Sequence, residues 1–144
     1  MPDKMYAGVK SLIDKEGEIL FVKIDVYDEI IYALPGGRVD YGENPREALV
    51  RETEEETSLE IKPVEPVGMY HFFTGKDSDG EQVVLTVWDV EWFGDVSTDT
   101  NHAEEDSIVG YEWVDPERLG KINAAPELKR LIKRAFRTKL DYDQ

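Results

Sequence analysis

Cysteine is absent from the chain, and with it go disulfide bonds, thiolate zinc sites and thiol nucleophiles. No apolar run approaches the length of a membrane span, and the opening MPDKMYAGVK has no apolar signal core. These two features set the expectation of a soluble, cytoplasmic protein with no membrane partner. Positive charge is scarce: 17 Lys and Arg stand against 32 Asp and Glu, a formal net charge of -15. Such a surface repels polyanions, so duplex nucleic acid is not expected as a partner. A small phosphorylated ligand stays open, because a bound divalent cation reverses the sign of the local field.

With 144 residues and 40% hydrophobic content, the chain has enough apolar material for one core. No repeat or linker divides it, so residues 1–144 are expected to form a single domain. YAGVKSLI (6–13) and EILFVKID (18–25) read as strands joined by a hairpin turn at DKEG, and IIYAL is a third strand that stops at Pro35, Gly36 and Gly37. Asn44 before Pro45 is a cap-then-proline signal, with Glu47 completing a capping-box pattern, so a helix is expected over 45–57. EPVGMYHFFT (65–74) and QVVLTVWDVEWF (82–93) read as a second hairpin, followed by an acidic loop over 94–107 and a strand at IVGYEWV. Asp115-Pro116 repeats the cap signal before a short helix. From about Pro126, Leu128, Leu131, Ile132, Ala135 and Phe136 recur at helical spacing. Strands and helices sharing one core make an α/β or α+β fold.

The chemistry-bearing stretch is LPGGRVDYGENPREALVRETEEETSL, residues 34–59. At about 100° per residue, Glu52, Glu55 and Glu56 fall within an arc of roughly 100°, while Glu47 and Glu54 point away. A run of glutamates is commonly a solvated face. Here, however, like charges at i, i+3 and i+4 repel, and acids in the last turns oppose the helix dipole. A bound Mg²⁺ or Mn²⁺ would remove that conflict, since hard cations take oxygen ligands. Arg51 lies four residues before Glu55 and is placed to pair with it. Gly36 and Gly37, without side chains, can present backbone carbonyls to a cation and N–H groups to a phosphate.

The run from Gly37 to Leu59 resembles the Nudix box, G-x5-E-x7-R-E-U-x-E-E-x-G-U with U a bulky aliphatic residue. Gly37, Glu43, Arg51, Glu52, Glu55, Glu56 and Leu59 match at the required spacing. Thr53 departs where an aliphatic residue is preferred, which is expected to cost some packing. Ser58 replaces the final glycine, and if it takes a left-handed conformation the cost is about 1 kcal/mol.

The resemblance implies a Nudix-type α/β/α sandwich around a mixed β-sheet. It also implies a Mg²⁺-dependent hydrolase of nucleoside diphosphate-linked compounds, MutT-like in acting on a nucleoside triphosphate. ADP-ribose or nucleotide-sugar hydrolysis is the alternative, and a non-catalytic nucleotide-sensing module is the alternative of another class. By the same resemblance Glu52, Glu56 and the Gly36 carbonyl are metal ligands. Glu55 is a ligand or the group that orients or deprotonates water. Glu43 stabilises the loop. Arg38, after the glycines, either reaches substrate phosphates or is a surface arginine. From the acidic loop Glu104, Glu105 or Asp106 supplies a further carboxylate, with Glu105 favoured, or merely solvates the loop. Asn123 either reads a nucleobase or caps the last helix. Tyr70, Phe72 and Phe73 either stack on a base or belong to the core, and the last helix's cations form a solvated or an RNA-facing surface. Dimers are common in the family, which makes a homodimer one oligomeric form to test.

Overall fold

The computed structural model describes residues 4–74, 80–99 and 108–142. In chain order the elements are β1 (Lys4–Leu12), β2 (Asp14–Lys15), β3 (Glu18–Val26), β4 (Glu29–Ala33), β5 (Gly36–Arg38), α1 (Pro45–Thr57), β6 (Glu60–Thr74), β7 (Glu81–Phe93), β8 (Ile108–Val114), a 3-10 turn (Pro116–Lys121) and α2 (Pro126–Tyr142). Four strands form a mixed sheet in the order β5-β1-β7-β6, in which β1 and β7 run parallel and the other neighbours antiparallel. A second, antiparallel sheet is built on β3, with β4 along one edge and β8 and β2 completing it.

The expected hairpin at DKEG is present but short. Glu16 and Gly17 have φ of 52° and 85°, the paired positive values of a tight two-residue turn. They join β2 to β3, and Leu20 still donates to the Ile13 carbonyl at 2.9 Å. Beyond Ile13 the chain parts company: β1 enters the mixed sheet beside β7, while β3 belongs to the other sheet. The sequence shows two adjacent strands, but which neighbour each one takes is decided by tertiary packing.

The period-2 alternation of β1 and β7 separates two apolar clusters on the two faces of the mixed sheet. Val9, Ile13, Trp88 and Val90 pack with Leu49 and Leu59 under α1. Leu12, Val83, Leu85 and Val87 pack with Leu128, Leu131 and Ile132 of α2. The mixed sheet is thus sandwiched between helices, as the resemblance implied, with the second sheet contributing Leu20 to one cluster and Phe21 to the other. Among the described residues no helix is long and apolar enough to cross a membrane.

α1 spans the expected residues. Asn44 accepts the Arg46 N–H at 2.8 Å, and Pro45 occupies the first turn. Its end is set by Ser58, with φ 65° and ψ 8°, whose N–H donates to the Glu54 carbonyl. The cost expected of Thr53 is met differently. Its hydroxyl lies 2.8 Å from that of Ser11 on β1, and both residues are fully buried. A polar pair therefore fills the place of an aliphatic contact, and each hydroxyl satisfies the other.

Candidate active site

The loop that feeds α1 is locked before the helix begins. Asp40 and Glu43 bond reciprocally: the Asp40 N–H donates to Glu43 Oε1 at 3.0 Å and the Glu43 N–H to the Asp40 carbonyl at 2.9 Å. Arg51, one and a half turns into the helix, reaches back to grip this turn. Its Nε and one terminal nitrogen donate to the two Glu43 oxygens at 2.9 and 3.0 Å, a bidentate pair of high geometric specificity. The other terminal nitrogen donates to Glu52 at 2.9 Å and to Glu55 at 3.5 Å. The Arg51–Glu55 pair expected from helical spacing is present, but it is the longest of these bonds. Arg51, followed by the Asp40 N–H, holds the Glu43 carboxyl below the usual carboxylate range. The same contact with Glu43 pushes the guanidinium's own pKa up.

Glu56 faces inward at 8% exposure and accepts the Gly36 N–H at 2.9 Å. That bond ties the last full turn of α1 to β5, a strand the glycine pair conceals in the sequence. Gly36 has φ 142°, and a Cβ there would collide with the Val9 carbonyl on β1. Gly37 is required for another reason: a Cβ would stand 2.5 Å from Glu52 Oε2. The absent side chain lets the Glu52 carboxylate lie directly against the β5 backbone.

Glu52, Glu56, Gly36, Gly37 and Arg38 line one end of a cleft of about 810 Å³. Toward β6, at the opposite edge of the mixed sheet from β5, Phe72 lines the cleft, and Ile24 and Ile31 of the second sheet and Leu128 of α2 add apolar surface to it. Glu55 goes elsewhere. With Arg51, Glu47 and Glu54 it lines a separate groove of about 820 Å³ on the outer side of α1. The glutamate arc is therefore divided by its surroundings, with Glu52 and Glu56 on the cleft and Glu55 across Arg51.

Arg38 borders the cleft with its guanidinium 2.9 Å from Glu81 and 4.0 Å from the Tyr6 ring centroid. Asn123 is not among the cleft-lining residues. Its amide nitrogen donates to Glu29 and to the Ile30 carbonyl at 3.2 and 3.1 Å, and its carbonyl accepts the Tyr32 N–H, so it clips the start of α2 to β4. Tyr70 is buried in the core and also lines the cleft, and burial raises its hydroxyl pKa. Phe72 is 39% exposed on the cleft wall, whereas Phe73 is 70% exposed against His71. Glu104, Glu105 and Asp106 lie outside the described residues. Lys10 of β1 is a cleft residue that sequence reasoning passed over. The available signal was a lysine flanked by apolar and small residues inside a strand.

The donor chemistry beside β5 suits a hard divalent cation: the Glu56 carboxylate is bonded to the Gly36 N–H, and the Glu52 carboxylate lies against Gly37, the next residue of the same strand. Glu52, Glu56 and the Gly36 carbonyl are the groups that could hold it. Among the described residues no three His, Asp or Glu side chains are grouped so as to hold a metal ion by themselves, and Glu43, Glu52 and Glu55 are instead gathered around Arg51.

Comparison with known proteins identifies the family and the fold. The model of the NUDIX domain matches residues 4–135. A putative 8-oxo-dGTP diphosphatase of Bacillus subtilis is 32% identical over 121 residues, covering 84% of this chain and 72% of that protein. An ADP-ribose pyrophosphatase of Methanocaldococcus jannaschii is 41% identical over 81 residues, 56% of this chain and 46% of that protein. Among solved structures, the ORF135 protein of E. coli superposes with a TM-score of 0.72 at 27% identity, covering 94% of this chain and 90% of that one. The MutT protein of Methanosarcina mazei superposes with a TM-score of 0.78 at 24% identity, covering 96% and 98%, a likeness of fold.

Proposed function

The chain belongs to the NUDIX domain family, and from that premise we propose that residues 1–144 form one Mg²⁺- or Mn²⁺-dependent pyrophosphohydrolase of nucleoside triphosphates, oxidised ones included. The observation that carries this reading is a cleft that joins the carboxylates of Glu52 and Glu56 beside β5 to apolar side chains of β6, α2 and the second sheet. A nucleotide has the same polarity: a phosphate chain that needs charge neutralisation and a base that gains from burial.

In the reaction, water adds to a phosphoryl phosphorus, the bridging P–O bond breaks, and the leaving group keeps the electron pair. Products are pyrophosphate and a nucleoside monophosphate. A divalent cation beside β5 would supply charge neutralisation on the phosphate oxygens. Glu52, Glu56 and the Gly36 carbonyl are the groups that would hold it. Glu56, fixed by the Gly36 N–H, sets the distance between helix and loop. Glu55 lines the groove across Arg51 and has no step in the cleft, and Arg51, bonded to Glu43, Glu52 and Glu55, is the strut that positions Glu52. Arg38 meets phosphate oxygens with a guanidinium already oriented by Tyr6 and Glu81, and Gly37 offers its backbone. Glu105 is the candidate for a further carboxylate. Asn123 acts on the base through the β4 wall that it fixes.

The relative named for 8-oxo-dGTP spans more of both chains than the one named for ADP-ribose, which favours the triphosphate. The higher identity of the second supports ADP-ribose as the rival substrate. Incubation with (d)NTPs, oxidised nucleotides, ADP-ribose and nucleotide sugars, in Mg²⁺ and in EDTA, separates them by product. EDTA-sensitive pyrophosphate release from a triphosphate is the expected result. AMP with a sugar phosphate from ADP-ribose would transfer the assignment to the rival, and binding without turnover would leave a sensing module.

A further inference from the structure

The cleft holds a second cation besides Arg38, and β-sheet register sets the relation between them. Arg38 of β5 lies opposite Gly8 of β1, and Lys10 of β1 lies opposite Gly36 of β5. Tyr6, Gly8 and Lys10 alternate onto one face of β1, the face that carries the cleft. Lys10 and Arg38 are thus diagonal neighbours, about 7–8 Å apart at the backbone. Between them the floor is the Leu85 side chain of β7 laid over Gly8. Gly8 has no side chain, and a Cβ there would collide with Leu85, itself a cleft residue.

The two cations differ in what already occupies them. Arg38 has Glu81 at 2.9 Å and the Tyr6 ring beneath it. The Lys10 ammonium donates at 3.5 Å to the Gly36 carbonyl, a neutral acceptor at the outer limit of a hydrogen bond. The half-buried ammonium shares the cleft with Glu52 and Glu56, and in a protein of net charge -15 it adds to Arg38 a local positive charge that an anion can meet. A long, rotatable stem lets the ammonium reach from Gly36 toward the phosphate path.

On the strength of the nucleotide reading above, we propose that Lys10 is a substrate-binding residue that takes a phosphoryl oxygen of the diphosphate, with Arg38 taking another from the far side of Gly8. Lys10 then sits next to the groups proposed to hold the cation and compensates phosphate charge that the cation leaves.

Titration calorimetry with inorganic pyrophosphate, with and without MgCl₂, tests this apart from turnover. Wild type, Lys10→Gln and Lys10→Arg are compared, with melting curves to verify folding. Lys10→Gln should weaken binding at least about tenfold, the loss of one charge-assisted hydrogen bond, and Lys10→Arg should recover most of it. The gap should narrow as salt rises. Unchanged pyrophosphate affinity in a folded Lys10→Gln, with kcat lowered, would make Lys10 a positioning group for Gly36 and overturn the proposal. If wild type neither binds pyrophosphate nor hydrolyses any nucleotide, the functional reading itself fails and this inference with it.

Discussion

α1 and α2 cover opposite faces of one sheet by different means. α2 enters the core through Leu128, Leu131 and Ile132, at 2%, 3% and 0% exposure, and meets the sheet chiefly through apolar contact, with one long bond from the His71 N–H to Glu127 at 3.4 Å. α1 also buries Ala48 and Leu49, but at its C-terminal half it meets its surroundings through polar bonds at successive levels. These are Arg51 to Glu43, Thr53 to Ser11, and Glu56 to Gly36. Apolar contact is non-directional and tolerates small slides, whereas hydrogen bonds fix rotation and height. The helix that lends the cleft only an apolar wall residue, Leu128, is packed, and the helix that carries the carboxylates is bolted.

The largest effect expected tests the packed helix. Ile132→Ala should lower stability by about 2–5 kcal/mol, through lost burial and a residual cavity. Urea denaturation measures it, and turnover of the folded fraction should stay near wild type. A stability loss under about 1 kcal/mol would mean that α2 is not held as described.

On the bolted helix, Glu56→Gln should cut turnover at least about 100-fold, equivalent to about 2.7 kcal/mol of barrier. The melting temperature should move little, because the amide oxygen can still accept the Gly36 N–H. Near-wild-type turnover in a clean preparation would remove Glu56 from the site.

The polar bolt itself is tested by a double-mutant cycle at Ser11 and Thr53. Each of Ser11→Ala and Thr53→Val leaves one buried hydroxyl unmatched and should cost about 1–3 kcal/mol. The double variant should regain most of that, since replacing both partners by apolar groups is close to neutral. Additive losses would show that the two hydroxyls do not depend on each other.

How much of this contrast was legible follows from the same physics. α2 was readable because apolar residues recur at i, i+3 and i+4, and α1 because Asn44-Pro45 opens it and Ser58 closes it. The glutamates were readable only as a spaced pattern. That Glu52 and Glu56 face the cleft while Glu55 faces another groove depends on where Gly36 and Gly37 lie, which no helical wheel contains. β5 was hidden because three residues with two glycines show no alternation. Ser11 and Thr53 stand 42 positions apart, so their pairing exists only once β1 has found its place in the mixed sheet. Lys10 was passed over for a related reason: the face of a strand becomes interior or cleft only when its neighbours are known.

Acid should weaken the bolted helix by a smaller amount. The folded-state pKa of Glu43 lies below its ordinary value, chiefly through Arg51, so its contribution is fully present above the ordinary carboxylate pKa of about 4.5. It is lost as pH falls from there through the depressed folded value. Melting temperature against pH should therefore fall less steeply below about pH 4.5 in Glu43→Gln than in wild type. Parallel curves would mean that the pair gains nothing from Glu43's charge.

The smallest effect expected is at the helix end. Ser58 holds φ 65°, a left-handed conformation that costs a residue with a Cβ about 1–2 kcal/mol relative to glycine. Ser58→Gly relieves that strain but gives the unfolded chain more freedom, worth about 0.4–1 kcal/mol against folding. It also removes the bond from the Ser58 hydroxyl to the Ser97 carbonyl, which at 3.4 Å and in an exposed position is weak. The balance is a gain of a few tenths up to about 1 kcal/mol, with turnover unchanged because no carboxylate moves. A lower melting temperature would show that the link from Ser58 to Ser97 matters more to the end of α1 than backbone strain does.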